Sequence, residues 1–379
     1  MSSLTGARTS ASASNLGLLR SLDPMLLFVT LALSAFGIVA VYVAGEDGRQ
    51  AYAADQAVGF VVGLAVAVPL ALIDYRVWRN YLKLIYAAVI LMLLAVTVTG
   101  VTVNNAQSWL DIGPVNVQPS EFAKLLMVVV LAGFFADRAV GETGPFVKAL
   151  GVLAIPGLLV FVQPDLGTSL VFGAIFFVMA FIGGAKVWQL AALAGGAVAA
   201  AFASVRVGLL EEYQVARLTA FLDPEDAGDI GYQVEQSKMA IGSGGLTGKG
   251  LDATTLANLG FLPEDHTDFI FANLAERIGF AGSLLLIVLF FLLIWRILHI
   301  ATISRDRFGV LISVGVATIF LFHIFVNVGM TMGIMPVTGI PLPFISYGRS
   351  SLVVSIISLG LLQSIAMRSR SDMSKTPKP

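Results

Sequence analysis

Ten stretches of about 20 mainly apolar residues recur along this 379-residue chain, and nothing else in it narrows the fold so far. A segment of that length crosses the hydrocarbon of a bilayer as a helix. Read this way, the sequence predicts helices near 24–44, 57–74, 82–103, 122–137, 147–163, 168–184, 187–206, 267–299, 308–333 and 350–367. Lipid offers the backbone no hydrogen-bond partner, so segments of this pattern fold as a helix bundle. Composition agrees: 12% of residues are charged and mean hydropathy is +0.87, where soluble domains carry about 25% charged residues. The expected fold is an all-α polytopic membrane protein, a single domain over 21–368, with a large extracytoplasmic loop over 207–266 between helices 7 and 8. Residues 1–20 and 369–379 read as cytoplasmic tails, the first of them disordered. Arg20 stands too close to a long first span to suit a cleaved signal peptide.

An even number of spans puts both termini on one side. Fifteen of the 23 Lys and Arg residues, among them Arg76, Arg79, Lys83, Arg296, Arg368 and Arg370, fall on that side, which makes it cytoplasmic. A net charge of -1 supplies no field for nucleic acid. The absence of cysteine excludes disulfides and thiolate chemistry, and His266, His299 and His323 are too scattered for a histidine-built metal site.

By the same parity the chemically unusual segments all fall on the outer side. Asn104 to Ser120 alternates from Trp109 to Val117 about a Gly113-Pro114 turn, as a small surface hairpin would. It enters a helix whose Glu121 and Lys124 lie on one face. Gln163-Pro-Asp-Leu-Gly-Thr168 stops one helix and offers Asp165 as the cap of the next. The loop 207–266 carries Arg217, Lys238 and the run Gly244-Gly-Leu-Thr-Gly-Lys-Gly250. That run lacks the spacing of a phosphate loop but leaves free N–H groups and Lys249 for an anion. Met335 to Ser351 holds three prolines among apolar residues, and irregular backbone is tolerated at membrane depth only inside protein or along a wet cavity.

Leu262-Pro-Glu-Asp-His-Thr-Asp-Phe-Ile-Phe271 leads an ionisable cluster directly into an apolar helix. A charge at the centre of a bilayer costs roughly 2.5–3.5 kcal/mol or more, so carboxylates at this junction need a reason. Asp268 is the first candidate for it, and its bland alternative is a helix cap. An ion-coupled transporter would place such residues near the midplane in two related halves, and the chain has no evident internal repeat. The pattern describes a membrane-embedded site open to the outside, suited to a lipid-linked substrate.

Four strings, Gln163 to Thr168, Gly244 to Gly250, Leu262 to Phe271 and Pro336-Val-Thr-Gly-Ile-Pro-Leu-Pro-Phe-Ile-Ser-Tyr-Gly348, closely resemble the shape, elongation, division and sporulation (SEDS) family, in the expected order and over nearly the whole chain. The Gly-Lys-Gly run followed by Gly260 to Asp268 resembles its elongation branch more than its division branch. The resemblance implies a peptidoglycan glycosyltransferase that polymerises lipid II outside the cytoplasmic membrane. It also implies ten spans and a class B penicillin-binding protein, the cross-linking transpeptidase, as partner. Asp268 matches the family's essential aspartate, Trp109 its loop tryptophan, and Glu121 with Lys124 its helical pair. Two departures stand out: Arg349 follows Gly348 where the family frequently has a second glycine, and Arg277 follows Glu276 where it often has a second glutamate.

Glycan polymerisation needs a base for the acceptor hydroxyl, a cation for the departing pyrophosphate and a surface for the sugar. Asp268 is the expected base, with Glu264, Asp265 and partial burial raising its pKa. The cation is one of Arg217, Lys238 and Lys249, or a divalent ion, Mg or Mn, held partly by Asp268 or Glu264. Trp109 serves as a stacking surface or as an interfacial anchor. Glu121 and Lys124 form an ion pair that tunes the cavity, Asp165, Ser346 and Tyr347 are further cavity residues, and Arg349 is a candidate pyrophosphate contact. A hydrolase using Asp268 with Glu276 is disfavoured: on one continuous helix they are about 12 Å apart in rise, beyond even the roughly 6.5–9.5 Å of inverting carboxylate pairs. The competing functions are a lipid II flippase and a scaffold that activates the transpeptidase without chemistry of its own.

Overall fold

The structure, a computed structural model, describes residues 21–44, 49–103, 106–113, 115–208, 212–222, 228–253, 256, 262 and 264–375. In chain order its first elements are α1 (Pro24–Ala44), α2 (Arg49–Leu72), a 3-10 turn (Tyr75–Tyr81) and α3 (Leu82–Thr99). Strands β1 (Val101–Val103), β2 (Ala106–Ile112) and β3 (Val115–Val117) lead into α4 (Pro119–Ala136), α5 (Thr143–Val162), α6 (Leu166–Ile182) and α7 (Val187–Val207). Then come α8 (Glu212–Leu222), α9 (Gly228–Ser243), α10 (Ile270–Ile303), α11 (Arg307–Thr331) and α12 (Arg349–Lys375). Among the described residues nine helices are long and apolar enough to cross a membrane, and α6 is apolar but shorter, at 17 residues.

Helices α4, α11 and α12 form the buried centre, whereas α7 is exposed along most of its length. The helix expected over 82–103 stops at Thr99. Gly100 turns the chain into extended conformation, and Val101–Val103 pairs with β2, so the expected hairpin is a three-stranded antiparallel meander in the order β1-β2-β3. The 207–266 segment is not simply loop, since it contains α8 and α9, and α12 continues to Lys375, past the boundary expected at 368.

Most charges at the end holding the start of α1 and the end of α12 are spent on joining helices. Asp23 accepts hydrogen bonds from Arg296 of α10 and Arg370 of α12. Asp306 caps α11 through Gly309 N–H at 2.8 Å and also receives Arg76 and the Tyr75 hydroxyl. The sheet, α8, α9 and the irregular segment 332–348 collect at the opposite, loop-rich end.

The largest departure from expectation lies in α10, which is not one continuous helix. Gly279 has φ 65° and ψ -167°, a conformation open to glycine, and it breaks the helical ladder. Such a break orphans carbonyls before it and N–H groups after it, at about 1–3 kcal/mol each if buried and unpaired. The glycine-rich run supplies partners for four of them: Lys249 and Gly250 N–H donate to the Glu276 and Arg277 carbonyls at 3.0 Å, and Phe280 and Ala281 N–H donate to Gly245 and Leu246 at 2.9 and 3.0 Å. The N–H groups expected to be free for an anion are thus consumed by a helix break.

Only glycines permit this approach. A Cβ on Gly244 would lie 2.1 Å from the Ala275 carbonyl oxygen, and one on Gly248 (φ 79°) 2.1 Å from that of Arg277. Gly245 also has positive φ but faces open space. Gly248→Ala is therefore expected to lower the thermal unfolding midpoint of detergent-purified protein well beyond Gly245→Ala, which carries only the backbone strain of about 1–3 kcal/mol. Equal midpoints for the two variants would refute the docking role of the run.

Candidate active site

Residues 264–269 connect the glycine-rich region to α10 through turns, so their carbonyls lack helical partners. The irregular segment 332–348 and α11 provide them. Tyr347 N–H donates to the His266 carbonyl at 2.9 Å, Ser346 Oγ to the Thr267 carbonyl at 2.7 Å, and Asn327 Nδ2 to the Asp268 carbonyl at 3.0 Å. The same Asn327 amide donates to the Ile340 carbonyl at 2.9 Å, joining the two irregular segments from one buried side chain. On the far side Gln56 of α2 donates to the Ser346 carbonyl at 3.1 Å, and Gly37 of α1 packs directly on the Phe344 carbonyl. Residues 340–346 are therefore held largely within protein, as the prolines and apolar residues of Met335 to Ser351 predict, whereas Met332 and Ile334 stay 47% and 63% exposed.

These stitches leave a polar cavity of about 190 Å³. Asp268, Glu264, Arg217, Asp165, Trp109 and Tyr347 all line it. Asp268 faces the cavity yet sits deep enough that burial pushes its carboxyl up to about 6; Arg217 pulls the other way, Glu264 reinforces the rise and His266 opposes it. Arg217 reaches the site because α8 is anchored to the turn before α6: the Tyr213 hydroxyl donates to the Pro164 carbonyl at 2.7 Å, and the guanidinium lies 5.5 Å from the Tyr213 ring centre. Arg217 and Asp268 both border Gly339 (φ 73°), where a Cβ would lie 3.3 Å from Arg217 Nη1 and 3.6 Å from Asp268 Oδ2. Two hydroxyls of the lining, Ser108 Oγ and Thr338 Oγ1, are buried with no hydrogen-bond partner among the described residues.

Asp165 fills both of its expected roles, capping α6 through Thr168 N–H at 2.9 Å while lining the cavity and accepting from Ser120 Oγ at 3.3 Å. Below it lies a smaller cavity of about 50 Å³, lined by Glu121, Lys124 and His323. Lys124 Nζ is 2.6 Å from Glu121 and 3.1 Å from His323 Nε2. His323 Nδ1 donates to the Pro341 carbonyl at 3.1 Å, so Nε2 is the acceptor for Lys124. The Glu121 and Lys124 pair thus supports the wall of the main cavity and does not line it.

Other expected residues fall elsewhere. Lys249 pairs with Glu276 at 2.6 Å and is absent from the cavity wall, because a carboxylate as buried as Glu276 needs a cation. Glu276 also accepts from Leu256 N–H at 3.1 Å, which removes it from any partnership with Asp268. Lys238 packs against Gly333. Ser346 is a buried stitch and not a lining residue. Arg349 pairs with Asp55 at 2.5 Å, Tyr347 shares that carboxylate at 3.1 Å, and Arg277 is buried on Asn273 at 2.7 Å. His266 is the local hydrogen-bonding residue expected of it, on Asp265 at 3.2 Å and stacked on Tyr52. Asn327, Gln56, Asp55 and Tyr213 escaped sequence reasoning; the available signal was a polar side chain inside an apolar span for Asn327 and Gln56.

A polytopic helix bundle that embeds an acidic, cation-faced cavity among broken helices defines a membrane enzyme class. The model of the FtsW, RodA and SpoVE family, described as cell cycle protein, matches residues 23–371, and the chain belongs to this family. The peptidoglycan glycosyltransferase MrdB of Escherichia coli K12 is 40% identical over 350 residues, 91% of this chain and 93% of that protein. Among solved structures, the chain is similar to a component of a peptidoglycan synthase complex described as coordinating polymerization and crosslinking, with TM-score 0.79, 29% identity, and 92% of this chain and 98% of that one covered. It is also similar to the rod shape determining protein RodA of Thermus thermophilus, with TM-score 0.69, 28% identity, and 91% of this chain and 96% of that one covered.

Asn327→Leu should orphan the Asp268 and Ile340 carbonyls, costing about 1–3 kcal/mol per buried unpaired group. The expected outcome is a lower unfolding midpoint together with a loss of activity larger than that of a comparably destabilised variant far from the cavity. Unchanged activity in a folded Asn327→Leu protein would refute the stitch as the support of the site.

Proposed function

We propose that this peptidoglycan glycosyltransferase polymerises lipid II at the outer face of the bacterial cytoplasmic membrane during elongation, with Asp268 as general base. The observation that carries the reading is Asp268 itself, in a polar cavity, bordering Gly339 together with Arg217, with its pKa raised to about 6. A carboxylate so tuned is a stronger base than an exposed one and is still ionised near neutral pH. It takes the proton of the acceptor sugar hydroxyl as that oxygen bonds to the donor's anomeric carbon. The bond from that carbon to the lipid pyrophosphate breaks, and Arg217 neutralises the charge of the departing group. A single displacement converts an α-linked donor into a β-linked glycan. Trp109, Ser108 and Thr338 on the cavity wall suit sugar hydroxyls and ring faces.

In this reading α6 is a tenth span, since 17 residues suffice at the lower limit of about 17–25. Both termini are then cytoplasmic and the loop-rich end is outside. A divalent cation, if bound, would be held by Glu264, leaving Asp268 as the base, and would help neutralise the leaving group. A class B penicillin-binding protein is the partner that would cross-link the product. The flippase reading is disfavoured because the polar lining gathers around Asp268, and the second large cavity, at the other end, is apolar.

Labelled lipid II given to purified protein, with and without the transpeptidase, tests the assignment. Asp268→Asn is expected to lower polymerisation by about 10²–10⁴-fold; full activity would eliminate the base, and transbilayer movement without polymer would favour the flippase. The base works only when ionised, so the rate should fall about tenfold per pH unit below about 6. A rate flat from pH 7 to 5 would contradict the raised pKa as the controlling ionisation.

A further inference from the structure

A second cavity, of about 260 Å³, lies between α1, α2 and α12 at the basic end and shares no residue with the polar one. Apolar side chains such as Leu26, Leu64, Ile356 and Leu359 form its walls, and no charged residue lines it. It follows α2 from Leu64 to Leu72, roughly 12 Å of helix at 1.5 Å per residue. Leu27 and Val68 on its lining are 43% and 50% exposed, so it opens sideways, toward lipid. A void of this kind forfeits dispersion contacts unless something apolar enters it.

Its mouth is polar and electrically unbalanced. Arg370 donates to the carbonyl of Leu22 at 2.9 Å, and Arg368 to those of Ala71 and Leu72 at 3.1 and 2.6 Å; all three acceptors belong to cavity residues. Arg296 and Arg370 share Asp23, while Arg368 pairs with Asp74. Among the described side chains, these three guanidiniums against two carboxylates leave one positive charge in excess. Gln363, 7% exposed, spends Nε2 on the Asp23 carbonyl at 3.3 Å, and its Oε1 is buried with no hydrogen-bond partner among the described residues.

We propose that this cavity binds one acyl chain of an anionic, hydroxyl-bearing phospholipid, the chemistry of phosphatidylglycerol. The chain fills the apolar slot, the phosphate meets the surplus arginine charge, and a headgroup hydroxyl donates to Gln363 Oε1. Placing that lipid in the inner leaflet rests on the orientation proposed above; the binding itself does not.

Native mass spectrometry of the full chain, released from detergent with equimolar phosphatidylglycerol and phosphatidylethanolamine, tests the site. One phosphatidylglycerol should be retained in preference to phosphatidylethanolamine. Leu27→Trp and Val68→Trp, which plug the opening from lipid-exposed positions, should remove it. Arg370→Gln should reduce the preference about fivefold, the effect of one surface arginine on an anionic lipid, while Arg370→Lys keeps it. Equal retention of the two lipids, or retention unchanged in both Trp variants, overturns the proposal. So does a groove filled by a partner's helix, seen as no retained lipid together with a cross-link from position 68 to a copurifying chain. Size exclusion and circular dichroism check the fold of each variant, and the Trp pair decides if Arg370→Gln fails to fold. The readout needs neither polymerisation nor sidedness, so it fails separately from the proposed function.

Discussion

The structure depends on satisfying backbone hydrogen bonds wherever the helices stop being helices. A bilayer supplies no water for that purpose, so each irregular stretch at membrane depth must be closed by other protein groups. The chain makes three such departures at one end: the junction 264–269, the break at Gly279 and the segment 332–348. The first and third close on each other through Asn327, Ser346 and Tyr347, and the second is closed by the backbone of the glycine-rich run. The polar cavity is the space these closures leave, and its shape is a consequence of them.

The same economy governs charge. A buried ion without a partner costs several kcal/mol, so most charged side chains packed inside this bundle are committed to one another. Glu276 holds Lys249, Glu121 holds Lys124, and Asp23 holds two arginines. Arg349 shares Asp55 with Tyr347. Arg277 is held by Asn273 and the Leu251 carbonyl, whereas the Asp268 carboxylate has Arg217 and Glu264 acting on it through space. Its raised pKa follows from that isolation, since burial is the largest influence on it and no ion pair cancels the effect.

Much of this was legible in the residues. Helix positions followed from runs of apolar residues, Asp165 as a cap from the Gln-Pro-Asp turn, and the largely buried course of 340–346 from prolines among apolar neighbours. Asp268 stood out because a carboxylate at the head of an apolar helix carries a desolvation cost that needs a reason. Lys249, one of three candidate cations, pairs with Glu276 instead of lining the cavity, and glycine beside lysine looks the same in sequence whether the backbone N–H groups face an anion or the carbonyls of a broken helix. The break at Gly279 was invisible, because one glycine in an apolar run is compatible with a straight helix and the partners that make a kink affordable lie about 30 residues upstream.

The sequence by itself determined a membrane-spanning helix bundle, the family, and the aspartate proposed above as the base. These depend on hydropathy, local turn preferences and short motifs, all of which are properties of neighbouring residues. Only the tertiary structure decided which charges are catalytic candidates and which are ties, that Arg217 and Asp268 both border Gly339, and that Asn327 joins the two irregular segments. Those outcomes depend on pairings between residues far apart in the chain, and pairing energy is a property of positions in space.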